Sequence, residues 1–384
     1  MRNFTLFLLC FFVFQGNISL KAEELLKEQR IAVVIGNYKY IGHSQSKDEN
    51  DKKLEGKECD SEYQYKAIPN DANPPVFDDL PNVLNDACDM RQKLLELGFE
   101  VRLLLNANRD QMYSAIYYLF NKEKQKAKKN VNLLYFSGHG TDQGENYYLM
   151  SSTAEPVCTN EKCFDEFGIK RDDIYELIEH MMKRFKKTKD EENNNLDDLK
   201  SNKKGNKKGN KPEIYRADEL FVKKYLNFVI LDACRDGNRK DETAILKKRQ
   251  PPDYTFFAFA TALNESSSAG STKDRNSRYT EHLLKFISKP GLPVTEMFAR
   301  VNLSVEKDTE ERNKKAKKDK AQCKNKCEHD EKEIREKCKN KEANICDVVY
   351  SVPEIQKPHI ISGELKDETN FVFKKEFIDQ VPHW

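Results

Sequence analysis

No sign of charge predominates in this chain: 66 Lys and Arg residues are set against 64 Asp and Glu, a net charge of +2 over 384 residues. So close a balance supplies no long-range field to gather nucleic acid or an anionic membrane, so neither is expected as a partner and recognition must be local. Long hydrophobic runs are missing too. The one N-terminal apolar run, Phe4 to Phe14, falls well short of the ~20 residues that a spanning helix needs. It follows Arg2 and leads into Gly16, Asn17 and Ser19, a pattern that reads as a secretory signal peptide over residues 1–20, with a membrane anchor as the competing reading. The expected product is a soluble protein of the secretory pathway or the extracellular space, with no membrane span after cleavage. Paired C-x-x-C knuckles and calcium-loop motifs are absent as well, so no metal and no cofactor is expected.

Cysteines are present, ten in all. Cys10 leaves with the signal, and the remaining odd number suits several bridges plus one free thiol in an oxidising compartment. Cys323, Cys327, Cys338 and Cys346 lie in a Lys/Glu-rich stretch, where pairing Cys323 with Cys346 and Cys327 with Cys338 would staple two helices. A zinc site is the alternative for these four. Cys158 and Cys163 would close a short loop, and Cys88 reads as a buried helix-face residue.

Short apolar runs bounded by turn residues predict strands at Ile31 to Ile35, Phe99 to Leu105, Val131 to Phe136, Phe228 to Leu231, Thr255 to Ala260 and Phe371 to Phe373. Between them, apolar residues recur at spacings of three and four, as in Leu84, Ala87, Met90, Leu94 and Leu97. The same period marks Asp110 to Phe120, Asp172 to Phe185, Tyr279 to Ile287 and Val294 to Val305. Alternating strands and helices predict an α/β domain over about residues 30–373, with a mainly parallel sheet covered on both faces. Three polar segments interrupt it, at about residues 43–79, 183–212 and 306–352. The second carries the near-repeat Asn202 to Gly205 and Asn206 to Gly209, the third the charged Cys-bearing helical stretch. Residues 374–384 form a C-terminal tail.

The chemistry gathers at two strand ends. Val131 to Phe136 runs into Ser137-Gly138-His139-Gly140, and Phe228 to Leu231 runs into Asp232-Ala233-Cys234-Arg235. Carboxyl ends of parallel strands line the ligand crevice of such a sheet, which lets His139 and Cys234 meet. A thiol needs a neighbouring base or cation to become a thiolate, and an imidazole serves. The amide of Gly138 or Gly140 is placed to donate to an oxyanion. Taken alone, each residue has an ordinary reading: a cysteine after a strand is commonly a small core hydrophobe, and a histidine there a surface or capping residue.

Together with the Ile31 to Gly36 strand followed by Asn37-Tyr38, and the helix entry Leu80 to Ala87, these segments resemble the caspase-like cysteine peptidases. Cys234-Arg235-Asp236 departs from the Cys-His-Ser of many metacaspases and leans toward the paracaspase and bacterial branch. The resemblance continues through Tyr279 to Leu284 and Pro290-Gly291-Leu292. It implies a caspase-like three-layer sandwich with a six-stranded, mostly parallel sheet, His139 as general base and Cys234 as nucleophile. It also places Asp86, Ser137 and Asp232 at the first specificity pocket.

Two carboxylates and a hydroxyl suit a guanidinium, so peptide or protein substrates cut after Arg or Lys are expected. Asp86 as a first-turn helix acid and Asp232 as a turn residue are the structural alternatives. Glu265 is a further candidate for the pocket, although a glycan on the Asn264 sequon would crowd it. Asn302-Leu303-Ser304 is a second sequon. The Lys-rich residues 183–211, together with Arg239, Lys247, Lys248 and Arg249, are candidate self-cleavage points. A legumain-type peptidase cutting after Asn and a catalytically silent scaffold of the same fold remain as rival functions, and the oligomeric state stays open.

Overall fold

The computed structural model describes residues 28–40, 59, 79–120, 129–143, 146–154, 161–183, 224–234, 249–261, 274–329, 356–365 and 371–374. The expected signal peptide, Arg235, Arg239, Lys247, Lys248, Asn264, Glu265, Cys158, Cys338, Cys346, residues 184–212 and the C-terminal tail beyond Lys374 lie outside the described residues. So do the side chains of Cys323 and Cys327.

A six-stranded sheet forms the centre, in the order β2-β1-β3-β7-β8-β9. Its members are β1 (Glu28–Gly36), β2 (Glu100–Leu105), β3 (Lys129–Ser137), β7 (Lys224–Asp232), β8 (Thr255–Phe259) and β9 (His359–Ser362). The first five run parallel and β9 closes the edge antiparallel, with Phe256 facing Ser362. The inner strands read as near-continuous hydrophobic runs because both faces are covered. One layer holds α1 (Pro81–Glu96), α5 (Arg278–Ile287) and α6 (Val294–His329). Met90, Leu94, Leu283, Phe298 and Val301 of that layer pack on Ala32, Leu133, Phe228 and Phe256. The opposite layer holds α2 (Arg109–Phe120) and a helix over 171–183, called α4. There Met112, Ile116, Ile174 and Ile178 pack on Val33, Leu134, Val229 and Phe257. Adjacent strand residues alternate between the two layers, as the two-residue strand period requires. This is the expected three-layer α/β sandwich with a mostly parallel sheet.

Three features differ from the sequence reading. The sixth strand is His359–Ser362, not Phe371 to Phe373. Phe371 and Phe373 are buried, 5.5 and 4.8 Å from the Phe228 ring, but their segment makes only isolated bridges, Val372 to Pro293 and Lys374 to Pro290. Its partner turn carries two prolines, which have no N–H for a ladder, so Gly291 and Val294 supply the donors, to Lys374 O at 2.9 Å and Phe371 O at 2.7 Å.

A second, antiparallel sheet of β4 (Gly140–Gln143), β5 (Asn146–Met150) and β6 (Gly168–Lys170) leaves the carboxyl end of β3, with the short α3 (Glu161–Phe167) between β5 and β6. Finally, α6 does not stop at Val305. It runs unbroken to His329, so the third insert begins as a continuation of a core helix. Among the described residues no helix is long and apolar enough to cross a membrane.

Cys88 also departs from its expected role. It is half-buried and disulfide-bonded to Cys59, which ties the first insert to α1. Cys163 is disulfide-bonded as well. The sequon residue Asn302 sits within α6 and its amide donates to Pro358 O at 3.2 Å, which leaves it poorly presented to a glycosylating enzyme.

Candidate active site

Sheet register sets the geometry. β3 and β7 are hydrogen-bonded neighbours, and Ser137 faces Asp232 at their carboxyl ends. His139 and Cys234 each stand two residues past that pair. They emerge side by side from strands that in any sheet lie ~4.8 Å apart. The order β2-β1-β3 reverses direction at β1, so the ends of β1, β3 and β7 open at a topological switch point, where α/β sheets hold ligands. Both side chains are partly exposed, and Cys234 carries a thiol, not a disulfide.

Neighbouring elements hold each of the two. After β1 the chain brings Tyr40 beneath β3. The Tyr40 hydroxyl accepts the His139 amide at 2.7 Å, and its ring meets the imidazole edge-on, centroids 4.7 Å apart. Tyr40 is buried, and desolvation raises its pKa and holds its phenol neutral, against the smaller opposing effect of the His139 hydrogen bond. Gly138 lies between Tyr40 and Phe136, where a Cβ would fall 2.8 Å from the Tyr40 hydroxyl. At Gly140 a Cβ would approach Ala233 Cβ and Cys234 O at 2.9 Å, so glycine is what allows β4 to lie against the cysteine. Tyr147 of β5 donates to Cys234 O at 3.2 Å and fixes the backbone from the other side.

The amides of the 138–140 segment are not equivalent. Gly138 N–H is used by Asp232 O at 3.3 Å and His139 N–H by Tyr40. Met150 donates to His139 O, which makes His139 and Met150 a hydrogen-bonded antiparallel pair. Gly140, opposite Leu149, is therefore at a non-bonded position and its N–H turns away from β5.

Asp86, Ser137 and Asp232, predicted to act together, do come together, all buried. Ser137 Oγ donates to Asp86 Oδ2 at 3.3 Å. The N-terminus of α5 closes the cluster. Ser277 N–H donates to Asp86 Oδ1 at 2.9 Å, Ser277 Oγ donates to Asp232 Oδ2, and Thr280 Oγ1 donates to the same oxygen at 2.6 Å. Every one of these donors is neutral. Burial first, and then the neighbouring charge of Asp232, push the Asp86 carboxyl well above the usual carboxylate range, as expected for two acids sharing a buried site.

A family model described as Caspase domain matches residues 68–332, well over half of the chain, from within the first insert to α6. The chain belongs to the caspase family of cysteine peptidases. The crystal structure of caspase-1 from Spodoptera frugiperda is similar over 91% of this chain and 94% of that one, at 13% identity and a TM-score of 0.46. No curated protein sequence matches it. The caspase-domain match spans Asp86, the Ser137 to Gly140 turn, Asp232 and Cys234, whereas Tyr40 precedes it.

Sequence reasoning missed Tyr40, Tyr147, Ser277 and Thr280. A serine ahead of a helical apolar pattern is an N-cap signal, and Ser277 is the N-cap of α5, accepting from Thr280 N. Nothing in the local sequence marks the two tyrosines, whose roles depend on strand placement. Arg249, considered above as a cleavage point, is held by Asp172, Glu176 and Glu179 at 3.3 to 3.6 Å and lies over the Tyr175 ring.

Proposed function

We propose that this caspase-family chain is a secreted endopeptidase that cuts after Arg or Lys with His139 and Cys234 as its dyad. The observation that carries the dyad is the equal offset of the two residues beyond the paired Ser137 and Asp232. In this reading the imidazole of His139 takes the Cys234 thiol proton and Sγ attacks the scissile carbonyl carbon, forming a tetrahedral oxyanion. Gly140 N–H, turned away from β5, is the donor placed to meet that charge, whereas the Gly138 amide is already engaged. Collapse expels the amine with a proton from His139. Water, deprotonated by the same imidazole, then releases the acyl group.

Specificity for a basic side chain rests on Asp86 and Asp232. Two buried carboxylates side by side disfavour each other's charge, and a guanidinium or ammonium from the substrate would balance them. Asp86→Asn tests this part: turnover of Arg and Lys peptides should collapse while alkylation of Cys234 by iodoacetamide is retained. Equal turnover by the variant would remove the carboxylate from specificity.

Secretion is proposed from Arg2, the Phe4 to Phe14 run and the polar residues after it. The disulfides at Cys59–Cys88 and Cys163 support an oxidising compartment. N-terminal sequencing of the protein from eukaryotic cell medium should begin near residue 21, and retention with Met1 intact would refute it.

A further inference from the structure

Ser277 donates a hydrogen bond to each of the two buried acids. Its backbone N–H is given to Asp86 Oδ1 and its hydroxyl proton to Asp232 Oδ2, while the same oxygen accepts Thr280 N–H at 3.2 Å. Its single hydroxyl proton thus goes to Asp232 because the helix amide already occupies an acceptor site. Ser277 is 2% exposed and sits just ahead of α5 with extended backbone, φ −58° and ψ 155°, the geometry of an N-cap.

We propose that Ser277 is a specificity-determining positioning residue that holds Asp86 of α1 and Asp232 of β7 as the two walls of one cation receptor; this rests on the reading of those acids as the pocket for Arg or Lys. Capping alone does not explain the arrangement. An N-cap needs only an acceptor, and Asp would serve as well as Ser. What the site demands beyond that is a donor: a third carboxylate here would face two others, and a residue without a hydroxyl would take one donor from Asp232. Other described neighbours are Ser137 and Tyr135 of β3, Tyr279 and Thr280 of α5, and Asn276, whose side chain hydrogen-bonds Asp86. Burial and the two acids keep Tyr135 neutral, and burial with Asp232 does so for Tyr279, so these phenols add no charge of their own. Arg275 is engaged with Asp89 of α1 at 2.7 and 2.8 Å and Arg278 with Asp308 at 3.3 Å, so these two guanidiniums are committed elsewhere. The two walls, drawn from different elements, are thus fixed by one side chain.

The test uses the full-length secreted protein with Ser277→Gly, which keeps most of the N-cap and the amide to Asp86 but removes the hydroxyl, and Ser277→Thr, which keeps both. Steady-state kinetics on fluorogenic peptides ending in Arg and Lys are read beside iodoacetamide alkylation of Cys234, followed by mass spectrometry, which does not use the pocket. Expected for Ser277→Gly is a rise in KM of about tenfold or more for both peptides, the effect of losing a hydrogen bond to a charge. The kcat should stay within about threefold, alkylation should be unchanged, and Ser277→Thr should restore KM. An unchanged KM in Ser277→Gly, or a fall in kcat and alkylation with KM unmoved, overturns the proposal and leaves the Arg/Lys reading standing. A wild-type enzyme that cuts after Asn or Asp and not after Arg or Lys overturns both.

Discussion

Ser137 and Asp232 face each other across the carboxyl ends of β3 and β7. From that pair the chain climbs two residues on one side to His139 and two on the other to Cys234, so a single register relation places the proposed dyad beside the buried acids. The same two residues that end the strands also belong to the acidic cluster, Ser137 against Asp86 and Asp232 against Ser277 and Thr280. In the proposed reading, recognition and bond cleavage are fixed by one stretch of sheet.

Removing the carboxylate of Asp232 without changing its shape should weaken binding of basic substrates specifically. Asp232→Asn is expected to raise KM for Arg peptides by about tenfold to a hundredfold, from a charge-assisted hydrogen bond. Comparison with citrulline-ended peptides, which keep the shape and lose the charge, checks it: the gap between the two substrates should shrink in the variant.

Tyr40 acts on His139 through position alone. Tyr40→Phe keeps the ring contact but removes the hydroxyl that accepts the His139 amide. A fall in kcat of about threefold to tenfold with KM retained is expected, measured on the substrate the wild type prefers. A change confined to KM would place Tyr40 in substrate binding instead.

The α5–α6 contact should be acid-sensitive. His282 is buried between Ser304, 2.8 Å from Nδ1, and Asp308, 3.9 Å from Nε2. Desolvation lowers its pKa, against the opposing pull of Asp308 and Glu281, with Lys285 and Arg312 adding to the lowering. A depressed histidine contributes stability that is present above its unfolded value of about 6.5 and lost as pH falls through it toward the folded value. Denaturant midpoints should therefore drop between pH 7 and pH 5, and His282→Gln should flatten that slope. An identical slope in the variant would assign the acid sensitivity elsewhere.

The long helix earns its place in the core through its first turns. Phe298, 1% exposed, lies 6.5 Å from the Phe228 ring and 6.1 Å from Phe256. Phe298→Ala should cost about 3–5 kcal/mol, read from urea unfolding. Substitutions of exposed Lys317 or Lys318 in the extension should shift stability by no more than about 0.5 kcal/mol.

The sheet was legible in the sequence wherever strands are buried on both faces. β1, β3, β7 and β8 appear as continuous apolar runs, and the turns after β3 and β7 carry the chemistry. β9 was not legible, because an edge strand of three half-buried residues and one exposed has neither the length nor the alternation to stand out. Phe371 and Phe373 mimic a strand by alternation, yet face a proline turn that lacks the donors. The small sheet β4-β5-β6 hides for a related reason: its strands are short, and Gly140–Gln143 is polar. In the site, Asp86 and Asp232 could be picked out through the family resemblance, at a helix entry and two residues before Cys234. Tyr40, Tyr147 and Ser277 could not, since what they do depends on partners some 99, 87 and 191 positions away.

The central claim is met most directly by turnover of fluorogenic peptides ending in Arg, Lys, Asp or Asn, using the purified mature protein with Cys234→Ala and His139→Ala beside it. Cleavage after Arg or Lys that disappears in both variants is the predicted result. Turnover that survives either substitution would contradict the dyad, and no turnover of any of the four peptides, with or without calcium, would leave a silent protein of caspase fold.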